Sequence, residues 1–245
     1  NKGSPKEKEN YRPISLLCSV SKIYEKVVAK AMHNHIGQHN ILSDSQHGFR
    51  SKRSTNSALT TLIENIATNI HDKNFTSLIL LDLSKAFDTV QHEILLDKLM
   101  HYGFSEQIIS IIGDYLNNRR FYVAVNDRQS HTRDCHVGVP QGSVLGPVLF
   151  ILYINDFHNS LDTCSVSQYA DDTAIFSSSK HIPDSIERLQ DELINVCDWF
   201  NANKLKLNIT KTQFIVFCNK NQARIAKGHT LLFDGTHISQ SQTVN

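Results

Sequence analysis

Two adjacent carboxylates, Asp171 and Asp172, lie between two short runs of strand-forming residues. The first run ends at Tyr169-Ala170, and the second extends from Thr173 to Phe176. This pattern predicts a β-hairpin with the two acidic residues at its tip. Because adjacent carboxylates repel each other, such a tip is unfavourable unless a cation or a base lies near it. An acidic turn in solvent has the same local pattern, so other parts of the chain must decide between the two.

Length and composition are those of an ordinary globular chain. Its 245 residues suffice for one large domain or two closely packed subdomains, and no apolar run is long enough to cross a bilayer. The five cysteines include no C-x-x-C pair, which disfavours a disulfide framework or a zinc ribbon and favours a reducing, intracellular compartment. Because the sequence starts at Asn1 and stops in polar residues at Asn245, we expect a fragment of a longer protein.

Charge is unevenly distributed along the chain. Residues 1–75 hold 11 Lys or Arg and 6 Asp or Glu, whereas residues 76–245 hold 14 and 18. A basic N-terminal part that contacts phosphates and an acidic C-terminal part that holds cations would produce this asymmetry. Many unrelated proteins share it, so its support for a nucleic-acid partner is weak.

A basic segment separates two helical patterns in the first part of the chain. The first predicted helix has its apolar stripe at Leu16, Leu17, Val20, Ile23, Tyr24, Val27, Val28 and Ala31, and it follows a polar, extended arm of residues 1–13. Arg50, Lys52 and Arg53 precede the second predicted helix, whose apolar residues recur from Leu59 to Ile70. Guanidinium groups and helix N-terminal N–H groups would together bind a phosphate. A basic turn in solvent is an equally good interpretation.

The apolar run Leu78 to Leu81 lacks alternation, which is typical of a strand buried on both faces. Asp82 ends this run, and an acid at the end of a buried strand is costly unless it has a partner. Metal ligation by Asp82 is therefore a serious hypothesis. Helical patterns follow at Ile94–Met100 and Ile108–Leu116, and a hairpin is expected through Phe121–Val125.

Glycine and proline are concentrated between Val137 and Pro147, where the backbone can approach a ligand closely. The G-K-[ST] ending of a P-loop is missing, so ATPase chemistry of that kind is not supported. Gly146-Pro147 predicts the start of a helix. Further along, we expect a helix over Ile186–Phe200 and strands at Leu205–Leu207 and Phe214–Phe217.

Five stretches of the chain resemble blocks of the reverse transcriptase domain of non-LTR (LINE-like) retrotransposons, in that family's order. They are Tyr11–Leu17, His47–Arg50, Asp82–Asp88, Pro140–Pro147 and Tyr169–Asp172. One such block would be weak, but five in order over nearly the whole chain are specific.

The resemblance implies the α+β fold of a right-hand polymerase, with an antiparallel palm sheet backed by helices. Residues of about 1–75 and 105–140 would form the fingers, and residues of about 76–104 and 141–245 the palm. The thumb is expected to be missing from this chain.

The implied reaction is RNA-directed DNA synthesis, in which a primer 3′-hydroxyl attacks the α-phosphorus of a deoxynucleoside triphosphate. Two Mg²⁺ ions roughly 3.5–4 Å apart would activate the attacking oxygen and stabilise the leaving one, with Mn²⁺ as a substitute. Asp82 and Asp171 are expected to bridge both ions, and Asp172 to bind metal or tune the charge of the site. By resemblance, the main-chain carbonyl of Leu83 also binds metal.

By resemblance, Phe87 lies beneath the sugar of the incoming nucleotide, although a core phenylalanine would have the same sequence context. A ring there would clash with a 2′-hydroxyl and so select deoxynucleotides. Gln141 and Gly142 are expected to lie against the incoming nucleotide and the template.

Three cations are further candidates for nucleotide binding. Arg50 and Arg53 would contact the triphosphate or the template backbone. Lys211 resembles a lysine near the pyrophosphate and would act as a general acid, although a lysine at an exposed strand end has the same pattern.

The expected partners are an RNA template, a DNA primer, deoxynucleotides and other domains of the same polyprotein, with no membrane. A eukaryotic element would place the protein in the nucleus.

Three alternatives remain at this point. A group II intron-type reverse transcriptase has related blocks, but Ser143–Phe150 fits the retrotransposon pattern better. A viral RNA polymerase is disfavoured by the ring at Phe87 and by Ala170 before the acidic pair. A decayed or domesticated copy that only binds nucleic acid is the alternative from another class, and the intact acidic positions disfavour it.

Overall fold

The computed structural model describes residues 14–125, 127–222 and 226–241. The expected arm of residues 1–13, with Tyr11-Arg12-Pro13, lies outside them. The described helices are α1 Ser19–His39, α2 Thr55–His71, α3 His92–His101, α4 Glu106–Leu116, α5 Leu145–Tyr153 and α6 Ile182–Ala202, with 3₁₀ helices at Ala86–Asp88 and Asn155–Ser160. The described strands are β1 Phe75–Leu81, β2 Arg119–Phe121, β3 Ala124–Val125, β4 Arg128–Gln129, β5 Arg133–Cys135, β6 Ser165–Tyr169, β7 Asp172–Ser179, β8 Gln213–Phe217, β9 Thr230–Phe233 and β10 Thr236–Ser239.

The chain divides into two compact units. One, which we call the helical unit, combines Asn1–His39 with Phe87–Phe150. The other, the sheet unit, combines Asn40–Ala86 with Ile151–Asn245. The division into fingers and palm stays a prediction. None of the described helices is long and apolar enough to cross a membrane.

The sheet unit is built on an antiparallel sheet with the strand order β6-β7-β1-β8. Leu78 of β1 packs in a cluster with Leu62 and Ile66 of α2, whereas the hydroxyl of the preceding residue, Ser77, lies 2.8 Å from that of Ser185 on α6. Because successive side chains of a strand point to opposite faces, α2 covers one face of β1 and α6 the other. The prediction that this strand is buried on both faces is confirmed.

Most elements of the sheet unit follow their sequence patterns, and two do not. The acidic hairpin is confirmed, but its two-residue loop is Ala170-Asp171, and Asp172 is the first residue of β7. The expected strand at Leu205–Leu207 is wrong, because only Leu207 forms a bridge there, with Leu83. The sequence did not predict the β9–β10 hairpin, whose strands have only four residues each and no alternation of polar and apolar residues.

In the helical unit the predicted helices form, but some of their details differ. Helix α5 begins at Leu145 rather than at Pro147, because the side chain of Glu25 accepts hydrogen bonds from the first N–H groups. The hairpin expected through Phe121–Val125 is confirmed in part, because Phe121, Ala124 and Val125 lie on the first arm of an interrupted antiparallel hairpin. In it, β2 pairs with β5 and β3 with β4.

Helix α1 forms as predicted, but its predicted face is largely wrong. The side chains buried along α1 are Glu25, Val28, Ala29, Met32 and Ile36. Val20, Ile23 and Val27 of the predicted stripe are 72%, 64% and 66% exposed. The buried face instead includes the carboxylate of Glu25, a charged group that the hydrophobic pattern predicts to be exposed.

Candidate active site

The end of β1 carries Asp82 directly beside the acidic hairpin. Strand β1 pairs with β7 in a register that ends at Leu81 opposite Thr173. One further step in this antiparallel register sets Asp82 opposite Asp172, and Asp171 is the adjoining loop residue. Directly opposite residues of paired strands have Cβ atoms about 4.5–5.5 Å apart and side chains on the same face. Asp82 and Asp172 are therefore neighbours at one end of the sheet, and Asp171 adjoins Asp172 in the hairpin loop.

The backbone after Asp82 leaves the β1 ladder and pairs with the segment before β8. The carbonyl of Asp82 accepts a hydrogen bond from Asn208 N at 2.7 Å, and Ser84 N donates to the Lys206 carbonyl at 2.8 Å. Since successive carbonyls of an extended chain point to opposite sides, the Leu83 carbonyl points away from this segment. In the sheet order that is the side of β7, where the acidic hairpin lies.

Lys211 is the cation that the structure places beside the acids. Its Nζ lies 3.6 Å from Oδ2 of Asp82. The lysine side chain is 66% exposed, so this ion pair contributes little to folding stability. The pair is easily broken, which leaves the lysine able to follow another anion.

Arg50 and Arg53 make contacts within their own segment. Arg50 donates to the carbonyl oxygens of Ser43 at 2.5 Å and Gln46 at 3.1 Å. Arg53 forms an ion pair with Asp44 at 2.7 Å. Burial, and secondarily Arg53, lowers the pKa of the Arg50 guanidinium. A guanidinium has five N–H donors, so these contacts leave room for an added phosphate.

The same segment contacts the acidic hairpin through Gln46 and Gly48. Gln46, which is 1% exposed, accepts a hydrogen bond at its side-chain oxygen from Ala170 N at 3.0 Å. In the main chain, His47 N donates to the Gln168 carbonyl, and Gln168 N to the Ser45 carbonyl, both at 2.8 Å. Sequence reasoning assigned no role to Gln46. Its partner lies 124 residues away, and no local pattern indicates such a contact.

In the helical unit, Phe87 and Gln141 lie on two segments that contact each other. Val139 N donates to the Phe87 carbonyl at 2.8 Å, and the Gln141 side chain donates to Oδ1 of Asp88 at 3.1 Å. The Phe87 ring stacks on Phe150 with ring centroids 4.5 Å apart. The structure thus brings together the segment predicted to contact the sugar and the one predicted to lie against the incoming nucleotide and the template.

Gly142 follows Gln141 with a φ of +97°, a conformation that favours glycine. The loop it belongs to is fixed from two sides. The Gln141 carbonyl accepts a hydrogen bond from Ser15 N at 2.8 Å, and the hydroxyl of Ser143 donates to the Pro140 carbonyl at 2.8 Å. An exposed glycine on a braced loop allows close approach of a ligand to the main chain.

Glu25 is a second residue that sequence reasoning missed. It is fully buried, and its Oε2 accepts hydrogen bonds from Val144 N at 2.7 Å and Leu145 N at 3.1 Å. Tyr115 donates to the same oxygen at 3.4 Å, and burial raises the pKa of this tyrosine to about 12. A carboxylate at a helix N-terminus is favoured by the helix dipole. The signal in the sequence was an acid three residues before Val28, on the face that is buried.

The predicted site residues are divided between the two units. Asp82, Leu83, Asp171, Asp172, Arg50, Arg53 and Lys211 belong to the sheet unit, and Phe87, Gln141 and Gly142 to the helical unit. Over the described ranges, no three His, Cys, Asp or Glu side chains already form a group that could enclose a metal ion. This is compatible with Mg²⁺, which proteins hold through one or two carboxylates together with substrate phosphates and water.

An antiparallel sheet with acids at the end of a central strand and on a neighbouring hairpin, covered by helices, agrees with the fold expected from the resemblance. The sequence profile described as "Reverse transcriptase (RNA-dependent DNA polymerase)" matches residues 4–243. The chain belongs to this family, which confirms the resemblance noted in the sequence.

Curated relatives include enzymes of Drosophila melanogaster mobile elements. The chain is 35% identical to the probable RNA-directed DNA polymerase from transposon BS, over 86% of this chain and 24% of the relative. It is 30% identical to the RNA-directed DNA polymerase from mobile element jockey, over 89% of this chain and 24% of the relative. The chain thus spans about a quarter of the length of these relatives.

Among solved structures, telomerase from Candida tropicalis in complex with a fragment of telomeric RNA has a similar fold. The TM-score is 0.58 with 14% sequence identity, over 81% of this chain and 34% of the telomerase chain. At this identity the likeness concerns the fold alone. It confirms the α+β polymerase architecture expected from the sequence.

Proposed function

We propose that this chain is the catalytic part of an RNA-directed DNA polymerase of a non-LTR retrotransposon. The observation that carries the proposal is the β1–β7 register, which pairs Leu81 with Thr173, the residues adjacent to Asp82 and Asp172. The mobile-element enzymes to which the chain is similar support the same activity. RNA template, DNA primer and deoxynucleotides are the proposed substrates, and for a eukaryotic element the reaction would take place in the nucleus.

The residues at the end of the sheet fit a pair of Mg²⁺ ions by their chemistry. Carboxylates and main-chain carbonyls are the hard oxygen ligands that Mg²⁺ prefers. Asp82 and Asp171 would hold both ions, Asp172 would bind one or tune the charge, and the Leu83 carbonyl would add a main-chain ligand. Bound there, the ions would lower the pKa of the primer 3′-hydroxyl and stabilise the leaving oxygen. Mn²⁺, which has similar ligand preferences, would substitute.

The remaining roles fall to side chains of this chain. A new bond forms between the primer oxygen and the α-phosphorus while the hydroxyl proton passes to solvent water, the bond from the α-phosphorus to the bridging oxygen breaks, and pyrophosphate leaves. Lys211, whose Nζ forms an exposed ion pair with Asp82, would move to the pyrophosphate and donate a proton to it. Arg50 and Arg53 would add hydrogen bonds to phosphate oxygens.

Selection of deoxynucleotides is proposed for Phe87. Its stacking on Phe150 limits the movement of the ring, so a 2′-hydroxyl would meet a fixed obstacle. Gln141 and Gly142 would support the incoming nucleotide from the adjoining loop.

The decisive experiment compares Asp171→Asn with Asp191→Asn, an exposed acid on α6. The chain is expressed with its flanking coding sequence and assayed for dTTP incorporation on an rA/dT template-primer in the presence of Mg²⁺. Asp171→Asn should lower incorporation at least about 100-fold, because one metal-bridging charge is lost, whereas Asp191→Asn should not. Both variants should retain template binding and melting temperature.

Equal activity of Asp171→Asn and the wild type would refute the assignment. Template binding without synthesis by the wild type would favour a copy that only binds nucleic acid. The group II intron alternative is not favoured, because the relatives described above are transposon enzymes.

A further inference from the structure

We infer that Gln46 is a positioning residue that sets the orientation of Asp171 by clamping the Ala170-Asp171 turn; this rests on the proposed function. Gln46 lies on the segment that pairs with the edge strand β6. It is 1% exposed, and its side chain contacts the main chain of Ala170 on both sides of the Cα atom.

Three hydrogen bonds define the clamp. The side-chain oxygen of Gln46 accepts from Gly48 N at 2.6 Å and from Ala170 N at 3.0 Å. The side-chain nitrogen donates to the Ala170 carbonyl at 3.5 Å. Because two N–H donors converge on one atom of the amide, that atom must be its oxygen, which fixes the orientation of the group.

The clamp acts on the peptide group that leads into Asp171. The Ala170 carbonyl belongs to the peptide bond between Ala170 and Asp171, so the donor from Gln46 fixes the direction of that bond. Ala170 has a φ of +56°, which an L-residue rarely adopts without support from its surroundings. A clamp on both of its polar groups supplies such support.

The surroundings of Gln46 are rigid enough to transmit this constraint. Arg50 donates to the Gln46 carbonyl at 3.1 Å and to the Ser43 carbonyl at 2.5 Å, which fixes the loop that carries the amide. On the other side, a Cβ atom on Gly48 would lie 2.3 Å from Ala170 N. The loop and the turn are therefore in direct main-chain contact.

Placement matters because a misplacement of about 1 Å can lower a rate about 100-fold. Gln46→Met keeps the approximate volume of the side chain and removes all three hydrogen bonds. Asn155→Leu is the matched control, because Asn155 is also buried and holds Ser43 N and the Ile41 carbonyl, both at 2.8 Å. It stabilises the same loop and makes no contact with Ala170.

The experiment measures steady-state dTTP incorporation, melting temperature and amide hydrogen exchange for both variants, with the flanking coding sequence present. Gln46→Met should lower kcat about 10- to 100-fold with KM for dTTP within about 3-fold, and speed exchange of the Ala170 amide about 10-fold or more. Asn155→Leu, at a comparable loss of melting temperature, should keep kcat within about 3-fold.

Unchanged kcat in Gln46→Met, or an equal loss in Asn155→Leu, would overturn the inference. If the wild type incorporates no nucleotide, the proposed function fails instead. In that case hydrogen exchange still decides on the clamp, because an Ala170 amide that exchanges equally fast in Gln46→Met and wild type excludes it.

Discussion

At the scale of single residues, the sequence predicted the acids at strand ends. It did not predict the buried polar residues that hold the neighbouring loops and helices in place. Asp82 ends an apolar run and Asp171 follows a strand-forming one, so each has a signal within a few positions. Neither Gln46 nor Glu25 was identified, because the partners that define their roles, Ala170 and Val144, lie more than a hundred residues away in the chain. Buried polar groups are defined by what they contact, and the contact exists only in the fold.

The tight contact at Gly48 gives a prediction at this scale. In Gly48→Ala the new Cβ would meet Ala170 N at 2.3 Å, so the loop or the turn must move. We expect a loss of about 1–3 kcal/mol in the free energy of unfolding, the usual cost of overpacking, together with reduced dTTP incorporation. Chemical denaturation measures the first effect and the template-primer assay the second.

Gly37→Ala is the control for this substitution. Apart from its chain neighbours and the backbone of its own helix, no atom of the described residues lies within 4 Å of the added Cβ, and the position is inside helix α1. Alanine should therefore stabilise the chain by about 0.5–1 kcal/mol. A Gly48→Ala variant as stable as Gly37→Ala would show that the contact between loop and turn is loose.

At the scale of elements, sequence patterns predicted which segments are helices and strands better than which face they bury. Helix α1 has a strong apolar stripe, yet it buries the face that contains Glu25 because this carboxylate caps α5. Strand β1 was predicted correctly because a strand covered on both faces is apolar throughout. Its buried face therefore does not have to be inferred from alternating polar and apolar residues. The short strands β2–β5 are largely exposed, so their sequences contain no pattern of buried apolar residues from which the strand pairing could be predicted.

Glu192 on α6 fixes the loop before β6 through hydrogen bonds to its carboxylate. Its carboxylate accepts main-chain hydrogen bonds from Asp162, Thr163 and Cys164, the residues before β6. Burial acts to raise the pKa of Glu192, but these hydrogen bonds outweigh burial and the pKa is lowered overall.

The lowered pKa of Glu192 predicts how stability depends on pH. The unfolded chain takes up the proton first, so the stabilisation is fully present above the ordinary glutamate pKa of 4.5 and is lost as the pH falls through the folded-state pKa. Glu192→Gln should lower the free energy of unfolding at pH 7 by about 1–3 kcal/mol. Denaturation curves at pH 7 and below pH 4 measure both effects, and a difference between variant and wild type that persists unchanged in acid would contradict this origin.

At the scale of the whole molecule, the order of strands could not be inferred from the sequence. Strand β1 pairs with β7 and β8, which follow it by about a hundred residues or more. Such long-range pairing has no local signal, and the resemblance to a known family supplied the expectation instead. The division of the predicted site between two units is likewise a property of the whole chain.

The strand order predicts the result of shortening the chain. Ending it after Asn203 removes β8, including Phe214, which is fully buried against the sheet. Each buried side chain of this size contributes about 1.5–3 kcal/mol, so the amide of Ile79 in β1 should lose its protection from hydrogen exchange. Ending the chain after Cys218 keeps β8 and should keep most of this protection. Equal protection in both shortened chains would show that the sheet forms without β8.

The position of β8 also sets the moment at which the acidic site can appear during translation. While β8 is still inside the ribosome, the β1 strand has a neighbour on one side only, and the segment that pairs with Asp82, Leu83 and Ser84 has not yet emerged. The nascent polypeptide can therefore pair β1 with β7 before the backbone that follows Asp82 has a partner. Interrupted translation products would carry all the acids of the signature, yet leave residues 82–84 without the segment that fixes them.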